Sequence, residues 1–250
     1  MTKLIVGGIG GHMGGAVASI AGEYGFEVTA GFDIKIQSSA FPVYDDPLSC
    51  YEKADVIIDF SSTDALDGIL GYAMRTNTPA VLAVTGYSPE QRTRIEQASK
   101  SLPIFASANM SLGINLLLAL VKKCTEVLQE DFDIEIIEKH HNRKLDAPSG
   151  TALMLAQSIS SAMPDAPPYV YGRTPETGRR TRKEIGIHAV RGGNIIGEHE
   201  VLFAGANETL SLTHTVASRE VFAVGALKAA RYLLGKENGL YDMSDLVEKA

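Results

Sequence analysis

The chain has 250 residues, of which 45% are hydrophobic, and this supports one large or two modest domains with buried cores. Its formal net charge of −7 argues against a general nucleic-acid-binding surface. No apolar run reaches the roughly 20 residues of a membrane span, and the N-terminus lacks the pattern of a secretory signal. Cys50 and Cys124 lie far apart without metal-binding spacing, so we interpret them as free thiols of a cytoplasmic protein.

The N-terminal segment has the pattern of a dinucleotide-binding βαβ unit. A short apolar strand at residues 3–6 runs into a glycine-rich loop and an apolar helix, and a second strand follows at residues 26–32. The loop leaves a bare backbone at the helix N-terminus, where N–H groups can bind a pyrophosphate. Asp33 follows the second strand at the spacing of about 20 residues that is typical of the acid on the ribose hydroxyls. The predicted cofactor contacts here are Gly8, Ile9, Gly10, Gly11, His12, Met13 and Asp33; the alternative is a glycine-rich turn without a ligand.

Asp33 also bears on which nicotinamide cofactor is used. Its carboxylate would repel the 2′-phosphate of NADPH, which favours NADH. Lys35 and His12 can offset part of this repulsion, so NADPH stays open as the alternative.

The next part of the chain alternates strands with helices. Strands are predicted at 54–60, 79–84 and 103–108, helices at 64–75 and 89–100, and a turn-rich segment at 41–52. This alternation predicts a doubly wound parallel sheet, and ligands of such sheets bind beyond the carboxyl ends of the strands. The second set of predicted cofactor contacts is therefore Ala83, Val84, Thr85, Ser107, Ala108, Asn109 and Met110; the alternative is that these are ordinary loop residues.

A basic segment follows an apolar helix predicted at residues 114–128. We expect a strand at 134–138, and then a short polar loop that carries His140, His141, Arg143 and Lys144. A helix is predicted at 149–162, because Asp or Ser can cap it and proline fits its first turn. Helix N-termini bind anions, and histidine exchanges protons near neutral pH. The segment therefore favours an anionic substrate whose reaction needs a proton, against the alternative of a solvated basic loop.

The C-terminal part is predicted to form a mixed sheet. Residues 163–183 are expected to be an exposed loop whose arginines are solvated more often than substrate-binding. Strands at 184–190, 195–203 and 208–214 are joined by predicted hairpin turns at 192–194 and 205–207, and they extend the strand at 134–138. The open face of this sheet needs a cover, for which a homo-oligomer partner is the best candidate. We interpret the histidines on these strands, namely His188, His199 and His214, as structural.

The predicted fold class is α/β: a Rossmann-type doubly wound parallel sheet, and a second α+β domain with an open mixed sheet used for oligomerisation. Residues 1–111 and 219–250, with a final helix at 220–234, form the predicted dinucleotide-binding domain. Residues 112–218 form the predicted substrate-binding and oligomerisation domain.

The basic segment also resembles a known family. Residues 138–152 read EKHHNRKLDAPSGTA, and this is similar to the pattern E-x-H-H-x-x-K-x-D-A-P-S-G-T of the dihydrodipicolinate reductase family. Asp59-Phe60-Ser61 resembles a further element of that family, and residues 239–243 resemble its tail, which packs back on the first domain. The chain departs from the family at Ala83-Val84, at Met110, and at Ile34, where relatives often carry a basic residue.

The resemblance implies an NAD(P)H-dependent reduction of 4-hydroxy-tetrahydrodipicolinate to tetrahydrodipicolinate with loss of water, in lysine and diaminopimelate biosynthesis, by a homotetramer. It implies His140 as proton donor and acceptor, and Lys144 as proton donor. His141 would hold one substrate carboxylate, and the N–H groups of Gly150 and Thr151 would hold the other. Two other classes stay open: another nicotinamide-dependent dehydrogenase acting on a small dicarboxylic acid, and a non-catalytic dinucleotide sensor.

Overall fold

The computed structural model of the protein describes residues 1–35 and 40–248. The chain forms two compact units, the first from Met1–Leu112 with Arg219–Ala250 and the second from Gly113–Ser218. Within the described ranges, no helix combines the length and the apolar character that crossing a membrane requires.

The strands are, in chain order, β1 (Thr2–Gly7), β2 (Phe26–Phe32), β3 (Val43–Tyr44), β4 (Val56–Asp59), β5 (Ala80–Leu82), β6 (Pro103–Ala106), β7 (Asp133–His140), β8 (Tyr169–Tyr171), β9 (Ile185–Arg191), β10 (Gly197–Ala204), β11 (Thr209–Val216) and β12 (Gly239–Tyr241). The α-helices are α1 (His12–Ile20), α2 (Leu66–Thr76), α3 (Pro89–Ser99), α4 (Leu112–Leu128), α5 (Gly150–Ser160), α6 (Glu220–Leu233) and α7 (Met243–Glu248).

The first unit is built on a seven-stranded parallel sheet in the order β12-β6-β5-β4-β1-β2-β3. Strand β1, which lies between β4 and β2, is buried on both faces, as parallel sheets require. Leu4 and Val6 pack into a core that includes residues of α1 and α6, whereas Ile5 packs into a core that includes residues of α2 and α3. The predicted Rossmann-type doubly wound sheet is confirmed.

The two edges of this sheet are formed by the short strands β3 and β12. The turn-rich segment at 41–52 contains the two-residue strand β3 and a 3₁₀ helix, Pro47–Ser49, which are too short to show a periodic pattern. At the other edge, β12 pairs in parallel with β6. The C-terminal tail therefore packs on the first unit, as the family resemblance implied.

The second unit is a five-stranded mixed sheet in the order β11-β10-β7-β9-β8. The central strand β7 is parallel to β9 and antiparallel to β10. One face of the sheet packs against α4 and α5 through a core that contains Val121, Ile136, Leu155 and Val201. The predicted second domain with a mixed sheet is confirmed.

The predicted hairpin at residues 192–194 is wrong. Strands β9 and β10 do not pair with each other, because β7 lies between them. Gly192 N–H instead donates to the carbonyl of His140 at 2.9 Å, and Asn142 N–H donates to the carbonyl of Gly193 at 3.2 Å. This loop thus closes over the end of β7. The other predicted hairpin is correct, since β10 and β11 are antiparallel neighbours.

The segment at 163–183 is more ordered than the prediction of an exposed loop. It contains strand β8 and a 3₁₀ helix, Pro175–Thr177. Arg180 lies 2.8 Å from carboxylate oxygens of Asp133 and Glu135, and Arg173 lies 2.8 Å from Glu135 and from Glu184. These two arginines are therefore ion-paired with carboxylates on and beside the sheet instead of merely solvated.

Candidate active site

The glycine loop after β1 makes a close turn that needs glycine. Gly8 has a φ of +69°, and a Cβ there would lie 2.7 Å from the carbonyl oxygen of Phe60. A Cβ on Gly14 would collide with the carbonyl of Gly8. A side chain at Gly8 or Gly14 would therefore prevent the first turn of α1 from packing against the loop. With glycine at both positions, the backbone N–H groups at the helix start stay open to a ligand.

Asp33 lies against this loop. Its Oδ2 accepts the N–H of Gly10 and its Oδ1 accepts the N–H of Lys35, each at 2.9 Å. Gly8, Gly11 and Asp33 line one cleft with an empty volume of about 650 Å³. The bare backbone and the acid fit the phosphates and ribose of a dinucleotide. His12 is exposed at the start of α1, whereas the side chains of Ile9 and Met13 pack against the core and leave only their backbone for a ligand.

The second set of predicted cofactor residues lies at the carboxyl ends of β5 and β6. Val84, Thr85, Ser107 and Ala108 line one cleft there. The other three residues are placed differently. Ala83 is buried and Met110 is only 2% exposed with its side chain in the core, so both can offer only backbone groups. The carbonyl of Asn109 accepts the Ser107 hydroxyl at 2.9 Å, which fixes the turn.

Further residues at these clefts were not predicted as contacts. Phe60 and Ser61 line the first cleft, and Tyr87 and Arg92 line the second. Asp59 explains the position of Ser61, because its Oδ1 accepts the Ser61 hydroxyl at 2.6 Å and the Ser61 N–H at 3.0 Å. Burial raises the pKa of Asp59. The Asp-Phe-Ser element at the end of β4 was the sequence signal for this part of the site.

In the second unit, His140 ends strand β7 and does not lie in the loop that was predicted to carry it. The strand is longer than predicted because β9 pairs with it up to His140 and β10 up to Lys139. The side chain is therefore buried, and its Nδ1 lies 2.5 Å from Oε2 of Glu138.

Glu138 is fully buried on the same face of β7 as His140. Arg191, at the end of β9, approaches both of its oxygens at 2.7 and 2.8 Å, and the N–H of Ser149 donates to Oε1 at 3.0 Å. Burial alone would raise the pKa of Glu138, but the hydrogen bonds from Arg191, His140 and Ser149 hold it below its usual range. The site thus contains a buried carboxylate that stays ionised.

Ser149 and His199 complete this cluster. Ser149 is the N-cap of α5: its Oγ accepts the N–H of Ala152 at 3.2 Å and lies 2.9 Å from Nε2 of His199. The His199 ring packs edge to face against His140, with 5.2 Å between the ring centroids. Burial, followed by the nearby charge of His140, lowers the pKa of His199 to about 4, so this imidazole is neutral at pH 7.

This shift predicts how stability depends on pH. The folded-state pKa of His199 lies below its unfolded value of about 6.5, so the unfolded state binds more protons between about pH 4 and pH 6.5. We expect the free energy of unfolding to fall as the pH drops through this window, and to fall less in His199→Phe. Urea unfolding at pH 7 and pH 5 measures both slopes, with His12→Phe, an exposed histidine, as the control. Equal slopes in all three proteins would contradict the expectation.

The loop between β7 and α5 carries the remaining predicted residues. Lys144 Nζ lies 2.8 Å from Oδ1 of Asp146, and the Lys144 charge contributes to the low pKa of His199. His141 is half-buried, and Gly150 and Thr151 are the first residues of α5. The structure therefore brings His140, Lys144 and the start of α5 into one region of the second unit.

Arg191 and His199 were missed as members of this site. They lie about 50 residues along the chain from the motif, on strands whose pairing with β7 was not predicted correctly. Glu138 had a signal in the sequence, because residues two apart on a strand share a face.

Comparison with known proteins agrees with the motif. The family model described as dihydrodipicolinate reductase, N-terminus, matches residues 2–110, and the model for the C-terminus of the same family matches residues 113–247. The chain is 54% identical over 250 residues to a 4-hydroxy-tetrahydrodipicolinate reductase of Caldanaerobacter subterraneus subsp. tengcongensis, covering 100% of this chain and 99% of the relative. It is 49% identical to the enzyme of that name from Clostridium novyi, covering 99% of each chain.

A solved structure is similar over nearly the whole length. The dipicolinate-bound dihydrodipicolinate reductase from Paenisporosarcina sp. TG-14 superposes with a TM-score of 0.82 at 25% identity, covering 97% of each chain. The two family models together match nearly all of the sequence, and the relatives match it end to end. The chain belongs to the dihydrodipicolinate reductase family.

Proposed function

We propose that the protein reduces 4-hydroxy-2,3,4,5-tetrahydrodipicolinate to 2,3,4,5-tetrahydrodipicolinate with loss of water, in lysine and diaminopimelate biosynthesis. The observation that carries the proposal is the buried His140–Glu138 pair beside the start of α5, within the motif that the family shares. Relatives that carry the name of this reductase match the chain over its full length.

Members of this family use a nicotinamide cofactor, which supplies a hydride when bound. Gly8, Ile9, Gly10, Gly11, His12, Met13 and Asp33 are proposed to hold its adenosine half, and Ala83, Val84, Thr85, Ser107, Ala108, Asn109 and Met110 its nicotinamide half. We propose NADH as the preferred form. Asp33 places a carboxylate in the first cleft, and Ile34, which follows it, offers no cation for a 2′-phosphate.

The substrate carries two carboxylates, and the second unit offers two kinds of group for them. His141 is proposed to bind one carboxylate. The N–H groups of Gly150 and Thr151 at the start of α5 are proposed to bind the other, because a helix N-terminus favours anions. This arrangement explains why a basic loop occurs in a chain with a net charge of −7.

The ring chemistry defines what the protein must supply. Loss of the 4-hydroxyl with one ring hydrogen as water leaves a conjugated ring imine. Addition of a hydride to this ring leaves negative charge on a neighbouring carbon, which then takes one proton. His140 is proposed to deliver this proton through Nε2, because its Nδ1 faces Glu138. Lys144 is proposed as a second proton donor, on the loop beside it.

A coupled assay tests the function. The purified protein is mixed with freshly made product of the upstream synthase and with NADH or NADPH, and loss of the reduced-nicotinamide absorbance is followed. We expect oxidation that depends on the substrate, with a higher kcat/KM for NADH. Activity on small 2-oxo acids, without activity on the dipicolinate-type ring, would favour a different dehydrogenase. Binding of NADH without turnover of any substrate would favour a sensor, and a higher kcat/KM for NADPH would contradict only the cofactor preference.

We also propose that the protein is a homotetramer whose contacts use the sheet face opposite α4 and α5. This face of the second unit presents Ile137, Leu202 and the 44%-exposed Val190. Ile137→Lys is expected to yield a smaller particle in sedimentation velocity, because a charge would be buried at the contact. Val127→Lys, at a 68%-exposed position on α4, is the matched control and should keep the wild-type mass. A wild-type mass for Ile137→Lys would exclude this face.

A further inference from the structure

We propose that Glu138 is a positioning residue that joins proton delivery to substrate binding, because one carboxylate holds both the His140 imidazole and the start of α5. His199, on the neighbouring strand β10, contacts the same two groups. The inference rests on the proposed function for the roles of His140 and α5, and it assigns Glu138, Arg191 and His199 a purpose in that site.

The contacts of the Glu138 carboxylate divide evenly between its oxygens. Oε2 lies 2.5 Å from Nδ1 of His140 and accepts Arg191 Nη1 at 2.8 Å. Oε1 accepts the backbone N–H of Ser149 at 3.0 Å and Arg191 Nη2 at 2.7 Å. A carboxylate ion can only accept hydrogen bonds. Nδ1 of His140 must therefore carry a hydrogen, and Nε2 is the ring nitrogen left to exchange a proton with a substrate.

Arg191 keeps this carboxylate ionised in a buried place. A lone buried carboxylate would take up a proton, and it could then no longer accept a hydrogen bond at each of its contacts. The two-nitrogen contact of Arg191 supplies the compensating charge with a fixed orientation. Arg191 Nη2 also donates to the carbonyl of Asp146 at 2.6 Å, which ties the loop after His141 to the same group.

His199 forms a second connection between the His140 imidazole and the start of α5. Its Nε2 faces the Ser149 hydroxyl, which caps α5, and its ring packs on the ring of His140. The hydroxyl already accepts the N–H of Ala152, so its own hydrogen is available to Nε2 of His199. A neutral His199 accepts this hydrogen and adds no positive charge beside His140.

The charged and titratable groups around His140 come from every strand that flanks it. Glu138 lies on the same strand, Arg191 on β9 and His199 on β10, and the charge of Lys144 reaches His199 from the loop. His214, on β11, stands opposite His199 in the sheet register. Asp146 adds a second carboxylate on the loop, where it is paired with Lys144 at 2.8 Å. Glu138 is the anion that contacts His140 itself, so its removal takes away the negative charge held against the imidazole.

The opposite face of the same strand offers a matched control. Glu135 lies three positions before Glu138 and contacts Arg173 and Arg180 at 2.8 Å and Nε2 of His188 at 2.7 Å. This cluster has the same residue types, a carboxylate with arginine and histidine, with the Glu135 side chain 15% exposed, but it holds no helix start. A purely structural role for Glu138 would make the two clusters equivalent.

The test compares Glu138→Gln with Glu135→Gln. In Glu138→Gln, we expect kcat to fall by at least about tenfold, and the pH of half-maximal kcat/KM to move lower. The reason is that the proton donor is protonated over a narrower pH range. We also expect weaker inhibition by pyridine-2,6-dicarboxylate, with NADH affinity unchanged. In Glu135→Gln, we expect a lower Tm with the wild-type pH profile.

Histidine tautomers give a readout that does not depend on turnover. In the ¹⁵N spectrum of histidine-labelled wild-type protein, the His140 signals are identified as those that are absent from His140→Gln. These signals should show the tautomer with its hydrogen on Nδ1. In Glu138→Gln, the His140 signals should no longer show that tautomer. An Nε2–H form in the wild type would overturn the inference. So would a Glu138→Gln protein that keeps the wild-type tautomer and pH profile and shows only the loss of Tm seen for Glu135→Gln.

If Glu138→Gln does not fold, the double variant Glu138→Gln with Arg191→Gln removes both charges of this ion pair, and the same measurements are made on it. The wild-type tautomer is decisive whether or not either variant folds. A failure of the proposed function would appear differently, because the coupled assay would then show no turnover by the wild type. The tautomer measurement would still test whether Glu138 accepts a hydrogen bond from Nδ1 of His140.

Discussion

Replacing His140 with Gln is expected to lower kcat by at least about tenfold, because a positioned general acid contributes roughly 10²–10⁴ in rate. Glutamine can fill much of the same space and can donate to Glu138, but it cannot take up and release a proton near neutral pH. The affinity for NADH should change little, since the predicted cofactor residues all lie in the first unit and His140 lies in the second. Steady-state kinetics and a fluorescence titration with NADH measure the two quantities.

His188→Gln is the matched control for this experiment. His188 also lies in the five-stranded sheet and also contacts a glutamate, but on the opposite face, through Nε2 to Glu135 at 2.7 Å. It should keep the wild-type kcat. Unchanged turnover in His140→Gln would remove His140 from the reaction, and an equal loss in both variants would point to damage of the sheet instead.

Replacing Gly14 with Ala is expected to weaken NADH binding by about tenfold or more. The added Cβ would collide with the carbonyl of Gly8, so the loop or the first turn of α1 must move. Overpacking of this kind costs about 1–3 kcal/mol, and a loss of about 1.4 kcal/mol in binding is a tenfold change in Kd. The proposed phosphate-binding N–H groups sit on the part that must move. Isothermal titration with NADH measures the effect.

Gly15→Ala separates this clash from a general effect of alanine. A Cβ at Gly15 would meet only the carbonyl oxygen of Ile9, at an ordinary 3.7 Å, and it would lie in the same helix. Alanine favours the helix by about 1 kcal/mol over glycine, so this variant should bind NADH as well as the wild type. If Gly14→Ala also binds like the wild type, the proposed phosphate site does not lie at this loop.

The first unit could be predicted from the sequence because its signals are local. Buried parallel strands such as β4 are continuous apolar runs, and the glycine loop lies directly between a strand and a helix. The second unit carries weaker signals. Its strands alternate in polarity, but alternation does not say which strand is the neighbour of which. The glycines at 192–193 resemble a hairpin turn, and the interposed β7 became visible only in the pairing of the folded sheet.

The candidate site shows the same division. His140, Lys144 and the start of α5 are contiguous in one motif, so the sequence could group them. Arg191 and His199 are joined to that motif only by strand pairing, and no periodic pattern marks them. The extent of β7 was also underestimated, because its last residues are charged or aromatic and read as loop. The burial of His140 depends on its contact with Glu138, whose carboxylate accepts hydrogen bonds from Arg191 and Ser149, and these are tertiary contacts.

The second unit is inserted within the sequence of the first, and this fixes an order of events during synthesis on the ribosome. Helix α6 contributes Ala226, Leu227 and Leu233 to the same core as Leu4 and Val6. At about 5–20 residues per second, the N-terminal half of that core waits on the order of ten seconds for helix α6 to be made. The inserted unit, whose residues are consecutive, can complete its own sheet in the meantime. Nascent chains halted before α6 should therefore expose apolar surface to chaperones from the first unit alone.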